Sequence, residues 1–152
     1  MFEQELGYWY AIRDGDERGR AMLNSHYSVN RYRFKRPKLF AGPGEKMVLM
    51  TSDSQALFVW RKFIDKSGQQ GINCAVFRNE GPYLSSALIL EAEQLAWQRW
   101  PGFRLYTYVN AKRIKSANPG YCFKCVGWSV AGKSKSLGLV ILEKLPDAPL
   151  RL

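Results

Sequence analysis

The chain is short of histidine, of pairable cysteine and of acidic residues, and each shortage narrows what it can do. His26 is the sole histidine, so an imidazole proton shuttle has one candidate. Three cysteines, an odd number, do not make a disulfide framework, and the thiols read as reduced ones in a cytoplasmic protein. No apolar run approaches the ~20 residues that a membrane-spanning helix needs. The first ten residues, MFEQELGYWY, are acidic and aromatic, so neither a secretory signal nor a membrane partner is expected. Internal repeats and low-complexity tracts are absent as well.

The 13 acidic residues face 23 Lys and Arg, a formal charge of +10. That balance favours an anionic partner, such as nucleic acid or a phosphorylated cofactor, although charge alone also fits a merely basic surface. With 46% hydrophobic and 14% aromatic residues among 152, the chain has enough for one folded domain with a real core.

The most telling stretch runs from Asn73 to Trp128. An apolar run at Cys74–Phe77 breaks at Gly81-Pro82, and a helix follows from Ser85 or Ser86, whose hydroxyls suit an N-cap. Leu88, Ala92, Leu95 and Ala96 recur at helical spacing until Pro101-Gly102. Arg104–Asn110 reads as a strand with alternating aromatics, and Asn118-Pro119-Gly120 opens a short helix ending in Val126-Gly127-Trp128. A strand that feeds a helix through a tight turn aims backbone donors at one spot and makes an anion site. Before this unit, the pattern predicts an extended start at Met1–Tyr10 and a helix at Asp14–Asn24 capped by Asp14 or Asp16. Strands are expected at Met47–Thr51 and Ala56–Arg61, joined by a turn. After it come a Gly/Ser/Lys turn at 131–136 and a last strand at Gly138–Leu145. The fold class is mixed α/β with a central sheet flanked by helices.

Several residues carry candidate chemistry, each with a plainer reading beside it. His26 sits where the first helix gives way to a loop and is a candidate general base, or an ordinary helix-ending histidine. Arg78, Asn79 and Glu80 end a central strand, where ligands gather in open α/β sheets. Arg78 could hold phosphate and Glu80 could act as base or orient His26; the plainer reading is a solvated turn. Ser85 and Ser86 either cap the helix or cradle a phosphate. Tyr106, Tyr108 and Asn110 share one face of their strand, as a core face or as general acid and stacking groups. Cys122-x-x-Cys125 resembles half a zinc site, but only Cys74 and His26 could complete it, so buried thiols are favoured and no metal is expected. Arg31, Arg33, Lys35, Arg36 and Lys38 interleave with Tyr32 and Phe34, and Lys112, Arg113 and Lys115 form a second patch. Both suit nucleic-acid contact, or a solvated loop.

This order of elements resembles the GNAT acyltransferase superfamily. The resemblance implies that Cys74–Phe77 with Ser85–Trp100 grips the pyrophosphate of acetyl-CoA or a related acyl donor. Arg104–Asn110 with Pro119–Val126 would flank the pantetheine, and Gly127-Trp128 stands where Gly-Phe is usual. Arg78, Gly81, Ser85, Ser86, Asn118 and Tyr121 would then be cofactor-binding. The family's Gln/Arg-x-x-Gly-x-Gly/Ala loop is matched by Arg78 and Gly81 but not at Tyr83. Pro82 lacks an N–H and Tyr83 adds bulk, so weak or altered acetyl-CoA binding is expected. Within the superfamily, the chain looks like the Mom-type DNA modification proteins of phages, on His26-Tyr27-Ser28, the degenerate loop and the Ser85-Ser86 helix start. That implies a single GNAT-like domain over 1–152 with a 73–128 core, modifying a base amine in DNA. His26, Glu80, Tyr106 and Tyr108 would be catalytic, with Tyr27 and Ser28 among the nucleic-acid contacts. A conventional acetyltransferase and a non-catalytic nucleic-acid binding protein are the alternatives. A dimer is possible.

Overall fold

The computed structural model describes residues 7–26, 41, 42, 44–64, 68–110, 120–135 and 137–146; for Asn24, Ser25 and His26 it describes the backbone. Among these residues, seven strands form one sheet. They are β1 (Trp9–Ile12), β2 (Glu45–Thr51), β3 (Ala56–Lys62), β4 (Ile72–Asn79), β5 (Leu105–Val109), β6 (Ser129–Lys133) and β7 (Val140–Lys144). Their order in the sheet is β1-β2-β3-β4-β5-β7-β6. Every neighbouring pair is antiparallel except β4 and β5, which run parallel. The helices described are α1 (Glu17–His26), α2 (Ser85–Arg99) and the single turn α3 (Tyr121–Lys124). This is the mixed α/β architecture expected from the sequence. No helix among the described residues is long and apolar enough to cross a membrane.

Each face of the sheet has its own core. One face packs Phe58, Trp60, Ile72 and Leu105 against Leu88, Ile89, Ala92 and Ala96 of α2. The other packs Val48, Met50, Leu57 and Val59 against Met22 of α1. Burial of this kind contributes about 1.5–3 kcal/mol for each large apolar side chain. All five tryptophans in the chain have a partner for the indole N–H, and three of those partners lie on α2. Trp9 donates to the Leu88 carbonyl, Trp60 to the Ala92 carbonyl and Trp128 to Glu93 Oε2. Glu93 is 2% exposed, and Lys144 of β7 reaches the same carboxylate at 2.7 Å. The helix is therefore tied to the sheet along its length by polar pins inside an apolar interface.

Boundaries differ from expectation in instructive ways. Strand β1 starts only at Trp9, where the Glu91 carboxylate of α2 accepts from the N–H groups of Tyr8 and Trp9. Helix α1 begins at Glu17 and runs to His26, because Asp16 caps it by accepting from the Arg18 N–H at 2.9 Å. The expected Ser85 or Ser86 cap is not made. Leu84 is the N-cap residue, no side chain bonds there, and both serines lie inside the first turn. The 131–136 stretch is not simply a turn: Ser129–Lys133 is edge strand β6.

Candidate active site

The site grows out of the one parallel pair. Strands β4 and β5 are in register only at Ile72↔Leu105, Asn73↔Tyr106 and Cys74↔Thr107. The Thr107 hydroxyl donates to the Cys74 carbonyl at 2.9 Å and closes that last rung. Beyond it the strands part, with β4 continuing to Asn79 and β5 to Val109. A bulge helps them separate. Val59 faces Val76 and Trp60 faces Cys74, so Ala75 has no partner on β3. The extra residue reverses the alternation, which sends Val76 to the α1 face and leaves Ala75 exposed.

A cavity of about 530 Å³ fills the gap between the splayed ends. Ala75 and Phe77 line it from β4, Thr107, Tyr108 and Asn110 from the β5 side, and Tyr121 and Cys122 from α3. None of the described residues lining it carries a formal charge. Helix α3 is seated there by Gly120, whose φ is +75° and whose missing Cβ would fall 2.5 Å from Leu142 Cδ1. Phe123 packs edge-on to Phe77 and Trp128, fixing the short helix against the sheet.

Two cysteines face this cavity. Burial pushes the Cys74 thiol far up from its usual range, with Cys122 nearby adding to the effect. Burial also raises the Cys122 thiol. Both are neutral at pH 7 and poor nucleophiles. The Tyr121 phenol is raised by its hydrogen bond to Cys125. No group of three or more His, Cys, Asp or Glu side chains among the described residues could hold a metal ion.

At the end of β4 the chain turns into α2 through a self-bonded loop. Asn79 Nδ2 donates to the Tyr83 carbonyl at 2.7 Å and to Ser85 Oγ at 2.9 Å, and Asn79 Oδ1 accepts from the Gly81 N–H. Glu80 is exposed and is pinned through its N–H to the Gln55 carbonyl. Tyr83 folds back: its hydroxyl donates to Asp53 Oδ2 at 2.9 Å and its ring meets Tyr8 edge-on. The phenol is raised by that carboxylate. The Tyr83 ring thus packs against Gly81, with its hydroxyl on the β2–β3 turn. The start of α2 carries no side-chain cap and no acidic residue in its first turn. Ser85 and Ser86 lie in that first turn.

No protein-family model, no curated protein and no solved structure matches this chain.

The expected site residues sort into three groups. Tyr108 and Tyr121 line the cavity. Glu80 and Gly81 lie in the loop and Ser85 and Ser86 begin α2, whereas Arg78 pairs with Leu57 and shares its α1-facing side of the sheet. Tyr106 does not reach the opening: it is fully buried, with Arg104 over its ring at 5.0 Å and Tyr108 edge-on at 5.8 Å. His26 is the last residue of α1, and its side chain lies outside the described ones. Tyr27, Ser28, Arg31, Arg33, Lys35, Arg36, Lys112, Arg113, Lys115 and Asn118 lie outside the described residues too. Ala75 and Thr107 were not legible as site residues. Ala75 matters through a bulge, and Thr107 through a hydroxyl that closes a rung between two strands far apart in sequence.

Proposed function

We infer that this chain is a GNAT-like enzyme of the Mom type that modifies a base amine in DNA, using an acyl-type donor held in the β4–β5 cleft. The splay of the one parallel pair around an open, uncharged cavity carries the reading. Beyond Cys74 and Thr107, β4 and β5 do not pair with each other, and the gap between them has the shape for an extended amide-bearing arm. The strand order and the bulge at Ala75 agree with such a cleft. The uncapped start of α2, with Ser85 and Ser86 in its first turn, suits the donor's phosphates.

Chemically, the acceptor nitrogen would attack the donor's transferable carbon within the cleft. The leaving group would take a proton from Tyr108, which lines the cavity where Tyr106 does not. The described lining residues offer no base, so the nitrogen's proton passes to Glu80 or His26. A flipped base would lie against the Tyr108 and Tyr121 rings.

The test is to incubate purified protein with DNA and a protein-free cell extract as the source of donor, then analyse the nucleosides by mass spectrometry. A new, heavier nucleoside is expected. A conventional acetyltransferase is the second reading, although the Tyr83 ring packs against Gly81 of the turn. Acetyl-CoA binding with a dissociation constant near ~1 μM, about −8 kcal/mol, would support that second reading.

A further inference from the structure

The end of the sheet opposite the cleft carries its own surface. There β3 ends at Lys62, β4 and β5 begin at Ile72 and Leu105, and α2 ends at Arg99. Cations lie over aromatic rings in this region: Lys62 over Phe103 at 4.7 Å, Arg61 over Phe63 at 5.1 Å and Arg99 over Trp100 at 4.8 Å. A groove of about 410 Å³ is lined by Lys62, Phe63, Ile64, Phe103 and Glu45, among others. Its apolar side chains are open to solvent, with Ile64 65% and Phe103 36% exposed. The acid in this wall is already engaged: Glu45 accepts from Trp100 and pairs with Arg99. Among the described residues, neither Lys62 nor Arg61 pairs with a carboxylate. Arg61 points to the α1 face instead, where its buried Nε–H has no acceptor among the described residues.

We propose that this groove is a second contact for single-stranded nucleic acid, with a base stacking on Phe103 while Lys62 meets phosphate. An exposed ring beside an uncompensated cation suits a ligand that alternates planar faces with negative charge. An acidic peptide would supply the charge but not the stacking faces. The net charge of +10 favours the same partner. Along the chain the groove at Gly71 and the cleft at Ala75 and Phe77 are four to six residues apart, about 13–20 Å at ~3.3 Å per residue. A strand that reaches both must therefore cross one face of the sheet. The proposal rests on nucleic acid as the partner but not on any chemistry in the cleft.

The experiment is fluorescence anisotropy of the full chain with labelled single-stranded DNA over a range of salt, for the wild type, Phe103→Leu and Lys62→Gln. Unfolding midpoints of each protein establish that the fold is kept. Phe103→Leu should weaken binding roughly tenfold at every salt concentration, as loss of one stacking contact does. Lys62→Gln should lower the slope of log affinity against log salt by about 1. Wild-type affinity and slope in both variants would overturn the proposal, and so would absence of binding at low salt. Polyglutamate competing as well as DNA would overturn it in favour of an acidic polypeptide. Loss of binding in the variants, with no modified nucleoside ever made, would uphold the groove and sink the enzyme reading.

Discussion

Tyr108 and Tyr106 are two residues apart and share a strand face, yet they have different prospects. Tyr108 lines the cleft and Tyr106 is sealed beneath Arg104. Tyr108→Phe should lower nucleoside modification about 10²-fold with donor affinity kept, while Tyr106→Phe should change it less than tenfold. Rates measured at saturating donor decide this. The alternation of tyrosines was legible in the sequence. Which one opens to a cavity was not, because that depends on where β5 parts from β4. The buried thiols give a second prediction at this scale. Burial raises Cys74 above its unfolded value, so its contribution to stability is complete below about pH 8.5 and fades as pH rises toward the folded value. One such group changes stability by at most about 1.4 kcal/mol per pH unit. Cys74→Ala removes that titration, so the stability gap between wild type and variant should narrow from pH 8 to pH 10 in urea melts. A constant gap would mean that the thiol is not held neutral by the fold.

Helix α2 organises the molecule, and Glu93 is its most consequential polar residue. Its carboxylate accepts from Trp128 and Lys144 at 2.7 Å each, joining α2 to the α3–β6 connection and to β7. Glu93→Gln leaves the Lys144 ammonium, whose side chain is 16% exposed, without its counter-charge. A loss of about 3–5 kcal/mol in unfolding free energy is expected. Gly120→Ala should also destabilise, by more than about 1 kcal/mol, since φ is +75° and Leu142 occupies the space; it should loosen α3 and the cleft wall with it. The helical spacing of Leu88, Ala92 and Ala96 was readable because a buried stripe repeats with the helix period. Strand β6 was not readable: it contains Gly132, lies mostly exposed at an edge and has a bulge at Ala131. The Ser85 cap failed for a local reason, since Asn79 engages its hydroxyl from the preceding strand.

At the scale of the whole chain, the sequence order of strands and helices was enough to read a mixed α/β sheet. It did not reveal that β7 inserts between β5 and β6, or that the parallel pair splays. The latter depends on a one-residue bulge and on a threonine rung, neither of which has a periodic signature. On the proposed function, a nucleic-acid base enters the gap between β4 and β5 and leaves modified. The measurement that tests it most directly is mass spectrometry of nucleosides from the DNA and RNA of cells expressing either the wild type or Tyr108→Phe at equal levels. The account predicts a new modified nucleoside in DNA with the wild type, reduced about 10²-fold with Tyr108→Phe. Unaltered DNA and RNA with the wild type, or equal yields from both proteins, would contradict it.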